Sequence, residues 1–149
     1  MLNLKSERTL WFILSSILLL RLLGLGVYPL MDTSEARYAE MARKMVELSD
    51  WVTPMFDYGV PFWGKPPLSF WTQAASMTVF GTNEFAARFP AWFLHLASCF
   101  IIIRLATQEV SRKAGIWAAI IFSGTALGLV SSGVVLTDPV LSLDRKSVV

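Results

Sequence analysis

The chain has one cysteine and one histidine in 149 residues. Cys99 alone cannot form an internal disulfide or a cysteine-based zinc cluster. His95 alone excludes a histidine-rich metal site. Charge is also scarce: 16% of residues are Asp, Glu, Lys or Arg, where soluble domains average about 25%. The formal net charge of +2 provides no strongly basic face, so nucleic acid is not an expected partner. No internal repeat, low-complexity tract or soluble-domain linker interrupts the chain. What is abundant is apolar surface, with 54% hydrophobic residues and a mean hydropathy of +0.54. That excludes a disordered chain and points to an all-α integral membrane protein, with length for three or four spans and their loops.

Three apolar runs satisfy the length of about 20 residues that a crossing helix needs. The first covers 10–30, with Lys5 and Arg8 ahead of it. Those charges hold the amino terminus in the cytoplasm. The run exceeds the apolar core of a signal peptide, and Val27-Tyr28-Pro29 is no small-residue cleavage site. Arg21 within it is expected to face other helices or to snorkel toward the outer interface. The second run covers 89–106 and follows Arg88; the third covers 114–136. Arg104, Arg112 and Lys113 mark the connection between them as cytoplasmic. The chain then reads as about three transmembrane helices, with the long 31–88 segment and Asp138 on the outer side.

Two amphipathic helices are expected in that outer loop. In 32–49, Arg37, Glu40, Lys44 and Glu47 form a polar stripe, and Met41, Met45 and Leu48 an apolar one. Asp32 can cap this helix, with Glu35 completing a capping-box-like pair. The stretch 50–54 breaks it, and 57–61 is a turn. In 66–80, Ser69, Thr72, Gln73 and Ser76 recur at i, i+3, i+4 and i+7. The segment is short for a crossing, and a crossing would export the basic 104–113 connection. An interfacial helix is the expectation.

Several side chains in this arrangement could carry chemistry, each with a plain structural alternative. Asp32 could be a general base toward an acceptor or simply a helix cap. Arg37 could clamp a phosphate or pair with Glu40. Lys65 precedes a rigid Pro-Pro helix start, where lipid phosphates lie, or is a snorkelling anchor. Asp138 is a second outer carboxylate or a cap. His95 reads as a hydrogen-bonded packing residue and Cys99 as a small buried apolar one. The pattern suits either handling of a lipid-linked anionic substrate or noncatalytic binding of an anionic lipid by a membrane or transport component.

The last six residues, Asp144-Arg-Lys-Ser-Val-Val149, match the translation of a common sequencing adapter, with a genuine basic tail as the alternative. Residues 1–143 are therefore read as the amino-terminal part of a membrane domain, and 144–149 as an artefact.

The order of motifs carries a resemblance. Met31-Asp-Thr-Ser-Glu-Ala-Arg-Tyr-Ala-Glu-Met-Ala-Arg43, Asp50-Trp-Val-Thr-Pro54, Pro61-Phe-Trp-Gly-Lys-Pro-Pro-Leu-Ser-Phe-Trp71, Phe80-Gly-Thr-Asn-Glu-Phe-Ala-Ala-Arg-Phe-Pro90 and Leu136-Thr-Asp-Pro139 together resemble the amino-terminal part of glycosyltransferase family 39. That family includes bacterial relatives of dolichyl-phosphate-mannose protein mannosyltransferases and the lipid A aminoarabinose transferases. The resemblance implies a GT-C membrane fold with further spans, in the bacterial inner membrane. It implies sugar transfer from a polyprenyl-phosphate donor to a lipid or protein acceptor at the periplasmic face. It sets Asp32 and Asp138 on catalytic acidic positions, Lys65 and Arg37 on donor-phosphate positions, and leaves Glu35 as support. One departure stands out. The aminoarabinose transferases place a metal-binding glutamate just before the lysine, and here that residue is Gly64. The departure argues against the family's divalent metal, and no cofactor is expected with certainty.

Overall fold

The computed structural model describes residues 6–31, 33–65 and 67–135. Six helices and one short hairpin follow in the order α1 Glu7–Gly24, α2 Thr33–Leu48, β1 Met55–Asp57, β2 Val60–Pro61, α3 Leu68–Phe80, α4 Glu84–Glu109, α5 Arg112–Gly124 and α6 Ala126–Ser131. The chain is a helical membrane protein; α4 is long and apolar enough to cross a bilayer.

α1 carries Glu7 in its first turn and Arg21 in its last, charges that favour the two ends of the helix dipole. α4 starts at Glu84, before the apolar run, because Asn83 caps it: the side-chain oxygen accepts the Ala86 N–H at 2.8 Å. The same side chain donates to the Phe80 carbonyl at 2.9 Å, closing α3. The apolar run 114–136 is not one rod. At Thr125 the backbone is extended (ψ 151°), and its hydroxyl accepts the Gly128 N–H at 3.0 Å to start α6. A threonine that caps a new helix competes with continuation of the old one.

α1, α4 and α5 pack as a bundle around Leu10, Leu14, Cys99, Ile116 and Ala119. Glu7 approaches Arg112 at 3.9 Å, so the start of α1 lies beside the start of α5 and the end of α4. The chain runs up α1, down α4 and up α5. At the opposite end a second core gathers Met41, Met45, Phe70, Ala74, Met77, Ala86 and Val135 from α2, α3, α4 and the segment after α6. Trp92 Nε1 donates to the Leu18 carbonyl (3.0 Å) and Tyr28 Oη to the Gly133 carbonyl (3.3 Å), binding α1 and its exit to the later elements.

Three amphipathic expectations change in the folded chain. Met41 and Met45 are buried as the stripe requires, but Leu48 is 43% exposed, because α2 ends there and Ser49 turns left-handed at φ 55°. Lys44, placed on the polar stripe, is buried; its ammonium donates to the Phe56 carbonyl (3.0 Å) and to Asp57 Oδ1 (3.3 Å). The hairpin folds back over it, closed at its base by Phe62 N–H to the Pro54 carbonyl at 2.7 Å. The α3 stripe is not solvated: Ser69, Gln73 and Ser76 are buried together with Phe70, Ala74 and Met77, while Trp71, Val79 and Phe80 are exposed. Gln73 Oε1 and Ser76 Oγ have no hydrogen-bond partner among the described residues.

His95 matches its expected packing role. Its Nε2 lies 3.0 Å from Ser123 Oγ, and the ring stacks on Phe122 at 4.8 Å. Cys99 is buried against the same hydroxyl. Arg21 lies against Gly133, in the segment after α6.

α4 and α5 approach closely at Gly115. A Cβ there would stand 2.7 Å from the Ile103 carbonyl oxygen and 3.1 Å from Thr107 Oγ1. Gly115→Leu is expected to cost about 1–3 kcal/mol through overpacking, read as a lower unfolding midpoint in a detergent titration. An unchanged midpoint would show that the contact is not tight.

Candidate functional site

The site end of the bundle is built around one arginine. Arg88, in the second turn of α4, is completely buried, and Glu35 on α2 is 3% exposed. Arg88 Nε donates to Glu35 Oε1 at 2.8 Å and Nη2 to Oε2 at 3.0 Å. Nη1 donates to the carbonyls of Leu25 (2.9 Å) and Tyr28 (2.6 Å), and Nη2 also to that of Pro29 (3.0 Å). These bonds use every N–H of a guanidinium, which has about five. The Tyr28 ring covers the group at 4.0 Å. The three carbonyls lie just past α1, where a helix end leaves acceptors without intrahelical partners.

Glu35 has a further bond: its Oε1 accepts the Val135 N–H at 3.2 Å. The carboxylate thus faces α4 and the segment after α6; its expected capping-box partner, Asp32, lies outside the described residues. Sequence spacing could not find this pair, because its members stand 53 residues apart. The available signal was Arg88 itself, a cation beside an apolar crossing run, which requires a partner.

Asp32 and Asp138 lie outside the described residues. Of the remaining candidates, Arg37 is exposed on α2 and lies over the Phe56 ring at 5.6 Å. It does not pair with Glu40, which Arg43 holds through two bonds of 2.7 Å. No described carboxylate lies within ion-pair distance of Arg37. The guanidinium borders a groove of about 630 Å³ between α2, the end of α3 and the start of α4, walled also by Leu30, Thr33, Arg43, Thr82 and Glu84. Lys65 is exposed just after the hairpin, ahead of α3.

Among the described residues no three His, Cys, Asp or Glu side chains gather. A Cβ at Gly64 would meet the Phe62 ring at 2.8 Å, so a longer ligand there requires that ring to move.

The dolichyl-phosphate-mannose-protein mannosyltransferase family profile matches residues 8–143. The chain belongs to this family. An undecaprenyl phosphate-alpha-4-amino-4-deoxy-L-arabinose arabinosyl transferase of Aeromonas salmonicida is 37% identical over 108 residues, 71% of this chain and 20% of the relative. The transferase of that name from Yersinia enterocolitica is 32% identical over 126 residues, covering 84% and 23%. That of Shewanella sediminis is 35% identical over 96 residues, covering 64% and 17%. The chain thus spans about a fifth of the length of these relatives. No solved structure matches.

The carboxylates beside the site titrate low. Arg43 holds Glu40 below the ordinary range through its hydrogen bonds. The Tyr58 N–H and then Lys44 do the same for Asp57. A depressed carboxylate stabilises the fold above its unfolded value of about 4 and loses that contribution as pH falls through the folded value. Acidification below about pH 4 is therefore expected to weaken the bonds Asp57 accepts from Lys44 and the Tyr58 N–H, seen as reduced exchange protection of the Tyr58 amide relative to its intrinsic rate. Exchange protection that stays constant down to pH 2 would refute the link.

Proposed function

We propose that the protein carrying residues 1–143 transfers a sugar from a polyprenyl-phosphate donor, of the undecaprenyl type that its relatives are named for, to a lipid or protein acceptor. The reaction takes place at the periplasmic face of the bacterial inner membrane. The amino terminus and the 104–113 connection are cytoplasmic, and three helices cross. The end of the bundle holding Glu7 and Arg112 carries the basic connection, and the charge rule assigns it inward. The end holding Glu35 and Val135 then faces out.

The observation that carries this reading is the bond from Val135 N–H to Glu35 Oε1. Asp32 is three residues before Glu35 and Asp138 three after Val135. The bond joins the backbone at 135 to the side chain of residue 35, so the two stretches of sequence that carry the acidic candidates are tied at points three residues from each. Leu30 and Thr33, on either side of Asp32, wall the groove that Arg37 borders.

In the proposed step Asp32 accepts the proton of an acceptor hydroxyl or protonated phosphate as its oxygen attacks the anomeric carbon. The bond from that carbon to the phosphate oxygen breaks, and its electron pair leaves with the polyprenyl phosphate. The configuration inverts. Lys65 and Arg37 neutralise the departing phosphate, the contribution expected of cations aimed at developing charge. Asp138 is the second acidic group at the reacting centre.

In the complete gene product Asp32→Asn is expected to reduce transfer roughly 10²- to 10⁴-fold with normal expression. A helix cap would tolerate Asn, so near wild-type transfer returns Asp32 to a structural role. Lys65→Ala is expected to weaken donor binding by about 1.5–3 kcal/mol, seen as a raised KM with a smaller change in kcat.

A further inference from the structure

We infer that Arg88 and Glu35 are positioning residues for the transfer reaction, forming a strap that fixes the two acidic segments relative to each other. The inference rests on the proposed roles of Asp32 and Asp138. Its physical content is separate, because it concerns how the backbone on either side of those residues is held.

Three stretches of chain meet at this pair. Arg88 holds the exit of α1 through the Leu25, Tyr28 and Pro29 carbonyls, three to seven residues upstream of position 32. It holds the first turn of α2 through both oxygens of Glu35. Glu35 in turn holds Val135. A single side chain on the continuous helix α4 thereby references both acidic segments to one rigid element.

The chemistry of the two partners explains why these residue types are needed. Arginine offers a planar fork of about five donors, whereas lysine has three and no fixed plane. A lysine at 88 could keep the charge and part of the Glu35 contact but could not also hold three carbonyls. The glutamate must reach across to Arg88 and present the same oxygen to a backbone N–H. Aspartate keeps the charge that neutralises Arg88 but is one methylene short. A pair retained merely to neutralise a buried charge would tolerate that shortening; a strap would not.

The test uses the complete membrane protein with Arg88→Lys and Glu35→Asp, assayed for donor KM, kcat and hydrogen exchange of the peptide containing the Val135 amide. Displacement of the reacting groups by about 1 Å can cost roughly 10²-fold in rate. Arg88→Lys is accordingly expected to lower kcat by about that factor and Glu35→Asp by about tenfold. The donor KM should stay within about twofold, since neither residue touches donor, and Val135 exchange should accelerate in both variants. If Arg88→Lys is absent from the membrane, Glu35→Asp decides alone. The inference is overturned if Glu35→Asp transfers at the wild-type rate, if Val135 exchange is unchanged in a folded variant, or if KM rises while kcat is kept. Failure of the enzyme reading would look different: Asp32→Asn would transfer normally, and the exchange results would stand unaltered.

Discussion

A charge buried without any exposure is tolerable only when it is paired and its remaining hydrogen-bond capacity is filled. Arg88 meets both conditions: one carboxylate, three carbonyls and an aromatic face surround it. Removing one member of such a pair costs about 3–5 kcal/mol because the other is left buried and unpaired. The geometry also answers a backbone problem. Past Gly24 the chain leaves the helix, and its carbonyls need donors away from bulk water. The guanidinium supplies them, so the exit of α1 can stay packed against α4 without continuing as helix. The turn into α2, and with it the approach to position 32, follows from this arrangement.

The rest of the molecule is easier to understand with lipid as the solvent for part of its surface. Leu19, Leu20, Leu23, Phe93 and Phe100 point outward, whereas His95, Ser98 and Ser123 are buried between helices. In water this would be inside-out; in a bilayer apolar faces cost nothing, and polar groups seek one another across helix contacts. The close approach at Gly115 belongs to the same regime, where helices associate through small residues and close packing. α3 is an intermediate case, with Ser69, Gln73 and Ser76 buried beside Phe70 and Met77, and Trp71 and Phe80 turned out.

This explains how far the sequence could be followed. Periodicity identified α2 and α3 as helices, and it identified Met41 and Met45 as inward-facing residues; apolar run length located α4, the helix long enough to cross a bilayer. It could not say what a given face looks at, which is why the Ser69–Gln73–Ser76 stripe reads as solvated and is buried. Lys44 was illegible for a related reason: its burial comes from a hairpin that closes over it later in the chain. Arg88 beside an apolar run signals the need for a partner, but nothing local in the sequence names Glu35, 53 residues away. Helix breaks were the other gap, because Thr125 lies in an apolar run and only its capping geometry reveals the division into α5 and α6. The candidate site was legible through the ordered motifs. The roles of Asp32, Lys65 and Asp138 came from resemblance, whereas exposure and the lack of a described carboxylate partner give Arg37 a physical argument of its own.

The proposed roles differ in how much positional accuracy they demand, and the scaffold differs in the same sense. A general base works only within hydrogen-bond reach of its proton, roughly 2.6–3.2 Å, and its usefulness falls steeply with displacement. Neutralising a phosphate follows a Coulomb dependence that decays slowly with distance, and a long cationic side chain can adjust to the group it meets. The segments beside Asp32 and Asp138 are tied to a completely buried pair. Lys65 and Arg37, by contrast, are exposed, one on the chain after the hairpin and the other on an open helix face over Phe56. A site with the proposed roles, which must fix a proton-transfer distance and also admit a bulky lipid phosphate, is served by this division, with the described backbone that flanks its acids tied to a buried pair and its cations on the accessible part.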